Sequence, residues 1–104
     1  IPEISVSELA SRLEAGASLV DVRNPDEYVS GHVPGAVLVP LPEIPDRVAE
    51  IPTDRTVLFI CRSGGRSGQA VDFLRGRGID AVNVAGGTLA WIDEGRPLET
   101  GGAG

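Results

Sequence analysis

Residues 56–66 read Thr56-Val57-Leu58-Phe59-Ile60-Cys61-Arg62-Ser63-Gly64-Gly65-Arg66, and the fold turns on how this stretch is read. Its first five residues are β-branched, aliphatic or aromatic, and none is charged. That is the pattern of a strand buried on both faces. Such a strand needs cover above and below, which places it in a mostly parallel sheet between helical layers. Polar residues and paired glycines then end the apolar run and form a loop. A helical pattern runs on from about Ser67 to Arg75, with Ala70, Phe73 and Leu74 at core spacing and Gly76 and Gly78 at its end.

The same alternation extends in both directions. Ser5 and Glu8 form a capping box that opens a helix from Val6 to about Ala15, which Gly16 stops. Ser18–Val22 is a buried strand. Asn24-Pro25 starts a short helix to Ser30, Gly31–Gly35 is a loop, and Ala36–Val39 is a second buried strand. Pro40, Pro42 and Pro45 break the next segment, leaving one or two helical turns over Asp46–Ile51. Ala81–Val84 is a further strand, Gly86-Gly87 a turn, and Thr88–Glu94 a last short helix. The expected class is α/β, with a mostly parallel central sheet of four to five strands and helices on both faces. One domain spans residues 1–98, and residues 99–104 form a flexible Gly-rich tail.

Composition narrows the function. A chain of 104 residues allows one domain, which can bury about two-thirds of its unfolded surface. With 41% apolar and 23% charged residues it is a globular composition rather than a disordered one. No apolar run approaches the roughly 18 residues of a membrane span, and no basic-then-apolar leader is visible. The start at Ile1 and the Gly-rich end still permit a removed leader or a longer parent chain. Nine basic residues against fifteen acidic ones give a net charge of -6, which disfavours nucleic acid and anionic membrane as partners. All nine bases are arginine, and Arg62, Arg66, Arg75 and Arg77 fall within residues 61–80, so the one cationic stretch begins beside the only cysteine. One Cys and one His cannot build an internal disulfide or a metal cluster. A reduced, cytoplasmic setting is expected.

Ligands of open α/β sheets bind beyond the carboxyl ends of strands, which is where Cys61 falls. A helix N-terminus comes directly after it, so free N–H groups and the helix dipole favour an anion and lower a thiol pKa. Gly64 and Gly65 allow positive φ angles and a nest of inward N–H groups. Arg62 and Arg66 can grip an oxyanion through paired hydrogen bonds, and Ser63 and Ser67 add hydroxyl donors. A buried cysteine that merely packs would not need such a loop, so the stretch points to a nucleophile. The phosphate-binding pattern GxxxxGK[ST] is absent.

Taken together, these motifs resemble the rhodanese family of sulfurtransferases. Cys61-Arg62-Ser63-Gly64-Gly65-Arg66-Ser67 resembles its active-site loop. Asp21-Val22-Arg23, Glu27-Tyr28 and Gly31–Ala36 resemble its upstream signature, and Val84, Gly86-Gly87 and Trp91 its C-terminal one. The resemblance implies a sulfane sulfur taken from thiosulfate or another donor onto Cys61 as a persulfide. The sulfur then passes to cyanide, a small thiol, or a thioredoxin-like or sulfur-relay protein. Loop N–H groups would stabilise the persulfide anion. Arg66, with Arg62, would hold the donor's sulfonate end, and no metal or organic cofactor is implied. Asp21 and Arg23 are expected to brace the site, with Glu27 a salt-bridge partner. His32 is the only candidate general base, but the resemblance implies that it fixes its own loop. Trp91 and Tyr28 are expected to pack.

Three rivals remain at this level. A cysteine phosphatase or arsenate reductase would place five residues between Cys and Arg, whereas four separate Cys61 from Arg66 and the next position is Ser67. A non-catalytic rhodanese-like binding module would usually lack the loop cysteine. A redox thiol protein would need an external thiol, because no second cysteine can resolve a disulfide.

Overall fold

The strand Val57–Ile60 lies at the centre of a five-stranded, all-parallel sheet in the computed structural model, which describes residues 1–102. In chain order the strands are β1 (Glu3–Ile4), β2 (Ser18–Asp21), β3 (Val37–Leu38), β4 (Val57–Ile60) and β5 (Ala81–Val84). Across the sheet they run β1-β5-β4-β2-β3. The α-helices are α1 (Val6–Glu14), α2 (Pro25–Ser30), α3 (Gly65–Arg75) and α4 (Gly87–Asp93), and a 3-10 run covers Leu41–Glu50.

Strand side chains alternate between faces, and β4 shows both covers. Val57, Phe59 and Cys61 pack with Ala70, Val71 and Leu74 of α3 and Ile44 of the 3-10 run. Leu58 and Ile60 pack with Leu9 of α1, Tyr28 of α2 and Trp91 of α4. The expected class is therefore observed, with five strands and helices on both faces.

The topology also locates a crevice. The connection after β2 runs through α2 on one face, and that after β4 through α3 on the other. Because β2 and β4 are neighbours, the two connections part at their carboxyl ends. That is the switch point at which open α/β sheets bind ligands. Asp21 and Arg23 lie at the carboxyl end of β2 and Cys61 at that of β4, on either side of this point.

Several elements differ from the sequence expectation. Two-residue β1 pairs with β5 through Glu3↔Asn83 and Ile4↔Val84, and it has no signature in the sequence, because two residues carry no periodicity. The second buried strand is β3 at the sheet edge, where Val37 is exposed and only its flanks Ala36 and Val39 are buried. The prolines do not break residues 41–50. Pro42 sits in the first turn, where its missing N–H costs nothing, and the run is interrupted at Arg47 (φ -115°, ψ 18°) instead. Helix α3 begins at Gly65, two residues before Ser67.

At the carboxyl end, Glu99 exchanges backbone hydrogen bonds with His32 (2.8 and 2.9 Å), and Gly101 N–H reaches Val29 O (2.9 Å). The last part of the expected tail, residues 103 and 104, lies outside the described residues. Among the described residues no helix is long and apolar enough to cross a membrane, and no group of three or more His, Cys, Asp or Glu could hold a metal ion.

The turn at Gly86-Gly87 does more than reverse the chain. Gly87 has φ +58°, and a Cβ there would lie 2.6 Å from Arg62 O and 2.7 Å from Cys61 O. The close approach lets α4 donate Thr88 N–H to Cys61 O (2.9 Å) and Leu89 N–H to Arg62 O (3.0 Å). Gly87→Ala should therefore cost about 2–4 kcal/mol through strain and overpacking. Denaturant unfolding followed by Trp91 fluorescence measures it, and an unchanged midpoint would contradict the close packing.

Candidate active site

Cys61 is 1% exposed and sits where β4 ends and the loop to α3 begins. Gly64 caps α3 in the left-handed region (φ +114°), accepting Gly68 N–H at its carbonyl (3.0 Å). This turns the chain back over the sulfur, so that Gly64 N–H points at Cys61 Sγ at 3.0 Å. Ser67 Oγ lies 3.3 Å from the sulfur. Gly65 does not adopt positive φ; it is the first residue of α3, and a Cβ added to it would meet nothing within 4 Å. Only one of the two loop glycines is thus required by backbone conformation.

Burial pushes the Cys61 thiol up, because a charged sulfur loses water. The Ser67 hydroxyl and the N–H groups of Ser67, Gly64 and Ser63 outweigh that penalty, and the net direction is down. The lowering comes from neutral donors at a helix N-terminus, and the loop arginines are not among its main causes.

The two loop arginines have different surroundings. Arg66 makes a bidentate pair with Glu27 of α2, at 2.7 and 2.9 Å. The Arg66 guanidinium holds the Glu27 carboxyl down at about 2. Arg62 is exposed and makes no side-chain hydrogen bond or ion pair among the described residues. It lines a cleft of about 340 Å³ together with Arg23, Glu27, Thr88, Leu89 and Leu98. Ser63 is exposed beside it.

Asp21 and Arg23 are buried and pair with each other, Arg23 Nε and Nη2 donating to Asp21 at 2.8–3.1 Å. Arg23 Nη2 also donates to Gly31 O at 2.8 Å. The pair ties the end of β2 to the loop after α2 and leaves no buried charge alone. His32 does not hydrogen-bond to the Cys61 loop. Its ring stacks on Tyr28 at 3.7 Å, and Nδ1 lies 2.8 Å from Tyr28 O. A carbonyl only accepts, so Nδ1 carries a proton. Tyr28 donates its hydroxyl to Ala36 O, and Trp91 Nε1 donates to Pro97 O at 2.7 Å.

Three residues of the site escape sequence reasoning. Thr88 binds Cys61 O through both N–H and Oγ1, each at 2.9 Å. Asn83, 2% exposed in β5, contacts Ser67, Gly64 O and Glu3. A polar residue inside the apolar run Ala81–Val84 is the available signal for Asn83. Nothing local marks Thr88 or Glu3.

The rhodanese-like domain model matches residues 5–94. A sulfurtransferase from Allochromatium vinosum is 42% identical over 101 residues, covering 94% of each chain. The crystal structure of a rhodanese-related protein from Thermoplasma volcanium superposes with a TM-score of 0.91 at 31% identity, over 97% of this chain and 100% of that one. A thiosulfate sulfurtransferase from Pseudomonas aeruginosa superposes with a TM-score of 0.87 at 32% identity, over 97% of this chain and 20% of the longer one.

Two outcomes test the geometry. Gly64→Ala should lose about 1–3 kcal/mol, since the left-handed backbone disfavours any side chain. Gly65→Ala should lose none and gain up to about 1 kcal/mol as a helix residue. Equal losses in denaturant melts would refute the assignment. Separately, the Glu27 carboxyl is lowered from 4.5 to about 2, so its contribution is full above 4.5 and fades as pH falls through 2. Glu27→Gln should flatten the stability profile across that window. A wild-type slope retained in the variant would assign acid sensitivity elsewhere.

Proposed function

The chain belongs to the rhodanese-like domain family, and from that premise we propose that it is a sulfurtransferase working through a persulfide on Cys61. The family and its relatives support sulfur transfer as the class of chemistry; thiosulfate as donor is what the rhodanese resemblance implies, and the anion-binding features of the loop are compatible with it. The single observation that carries it is the lone cysteine held at a helix N-terminus with Gly64 N–H at 3.0 Å and a thiol lowered by neutral donors.

The steps balance without a cofactor. The Cys61 thiolate attacks the sulfane sulfur of thiosulfate, a Cys61 S–S bond forms, and sulfite leaves with the electron pair of the broken S–S bond. The outer sulfur is left as a persulfide anion, stabilised by the loop N–H groups. Cyanide, a small thiol or a protein thiol attacks that outer sulfur and carries it away, and the Cys61 thiolate returns. With cyanide the product is thiocyanate. Arg62, free of an ion pair among the described residues, meets the sulfonate end of the donor from the cleft. Arg66 serves the same end by position, its guanidinium already oriented and neutralised by Glu27, so it contributes mainly by bracing the loop. Asp21, Arg23 and His32 support the frame.

Intact mass after thiosulfate should rise by one sulfur in wild type and not in Cys61→Ala, and cyanide should remove it with release of thiocyanate. Steady-state rates should give the parallel lines of a ping-pong cycle. Arg62→Ala should raise KM for thiosulfate about tenfold, equivalent to ~1.4 kcal/mol, with kcat little changed. Sulfur gain by Cys61→Ala, or none by folded wild type with either thiosulfate or a persulfide donor, would overturn the reading.

A further inference from the structure

The hydrogen bonds beneath the loop compete for one proton. Ser67 Oγ lies 2.5 Å from Asn83 Oδ1, 3.3 Å from Cys61 Sγ and 3.4 Å from Gly64 O. A hydroxyl donates once, so the three acceptors cannot all be served.

The orientation of the Asn83 amide is set by its other neighbours. Its nitrogen faces Glu3 Oε2 at 2.9 Å and Gly64 O at 3.2 Å, a carboxylate and a carbonyl oxygen. Turning the amide over would set Oδ1 against two acceptors. Register supports the same arrangement, because Glu3 and Asn83 are direct partners in the β1–β5 pairing. Oδ1 is therefore the atom that faces Ser67, and it is the nearest acceptor for the hydroxyl.

A neutral thiol sulfur is a weak acceptor. A hydrogen bond to an ionised partner is roughly twice as strong as a neutral one. The preferred acceptor for the Ser67 proton thus depends on the charge at sulfur. We infer that Asn83 is a positioning residue that holds the Ser67 hydroxyl away from Cys61 Sγ while the sulfur is neutral and yields it when the sulfur becomes anionic. The Glu3–Asn83–Ser67 chain ends at the sulfur, and Asn83 acts on it only through the Ser67 hydroxyl.

Removing Oδ1 takes away the nearest competitor for the Ser67 proton and leaves only Gly64 O at 3.4 Å beside Sγ at 3.3 Å, so an anionic sulfur wins the hydroxyl at less cost and the thiolate should form more readily. The other partners are not orphaned by that change. Gly64 O keeps Gly68 N–H at 3.0 Å, and Glu3 is exposed to water. The charged groups around the loop are Arg62, Arg66 with Glu27 on α2, Asp21 and Arg23 at the end of β2, and Glu3 on β1. The test variants retain all of them. The inference rests on the proposed function only in taking Cys61 as the reacting group.

The test is a double-mutant cycle of Asn83→Val and Ser67→Ala. Each protein is titrated by ultraviolet thiolate absorbance against its own Cys61→Ala control, so no reagent must reach the sulfur. Asn83→Val should lower the Cys61 midpoint when Ser67 is present, raising the thiolate fraction below the midpoint about three- to tenfold. In the Ser67→Ala background it should change nothing. A midpoint that rises, stays, or shifts equally in both backgrounds would overturn the inference and leave Asn83 a purely structural residue.

If Asn83→Val does not fold, wild type and Ser67→Ala decide the matter. The Asn83 side-chain carbonyl carbon resonance should track the Cys61 titration in wild type and not in Ser67→Ala; a resonance that tracks it equally in both would overturn the inference. Neither readout uses thiosulfate, so failure of sulfur transfer and failure of this inference appear separately.

Discussion

Every side chain of β4 from Val57 to Ile60 is fully buried, and that constraint governs how the chain can leave the sheet. The strand has helices on both faces and partners on both edges, so solvent is first reached beyond its carboxyl end. There the ladder stops, and the carbonyls of Cys61 and Arg62 need new donors. Helix α4 supplies them through Thr88 and Leu89 N–H, which requires its first residue to approach closer than any side chain permits. Gly87 and Cys61 are thus coupled by backbone geometry across 26 positions of sequence, 87 minus 61. The loop over the sulfur is fixed from below by α4 and from the side by α3.

The ion pairs complete the support. Asp21–Arg23 is buried and hydrogen-bonded through Arg23 Nε and Nη2, and a further bond from Nη2 to Gly31 O draws the loop after α2 toward the switch point. Glu27–Arg66 joins that same helix α2 to α3 across the cleft. The buried Asp21–Arg23 pair need not add net stability. Desolvation can cancel the Coulomb gain of a buried pair, while the geometry it enforces remains. Their joint effect is to leave Arg62 as the loop cation with no partner among the described residues, facing a cleft with apolar Leu89 and Leu98 on its wall.

Much of this is legible in sequence. The uncharged run Thr56–Ile60 implies a doubly covered strand, and the loop after it implies an anion site; both come from local composition. The engagement of Arg66 is not legible in full, since sequence reveals its charge and Glu27 as a plausible partner but not that both Nη atoms are used. Gly65 is easily misjudged, because two adjacent glycines look alike until the helix start decides which one must be left-handed. Strand β1 exists only through its pairing with β5. The 3-10 run survives three nearby prolines because their fixed φ suits it. Asn83 is visible as a polar interruption, yet its partners Glu3 and Ser67 are distant in sequence and meet only through sheet register and the position of α3.

The choice of donors at the sulfur has a chemical consequence. A cation in direct contact would stabilise a thiolate most strongly, but nucleophilicity falls as thiol pKa falls. At this site the nearest arginine of α3 is neutralised by Glu27, and the groups that touch Sγ are a backbone N–H and a hydroxyl. Neutral donors lower the pKa against a burial penalty that raises it, so the two effects offset in part. In the proposed cycle, such a balance would make the anion accessible without holding it so tightly that attack is slowed. The same donors suit a persulfide, whose charge lies one atom further out and whose outer sulfur must still leave. A neutral cradle would therefore serve both forms of the proposed cycle, and in that proposal Arg62, without an ion pair among the described residues, is left to meet the donor anion.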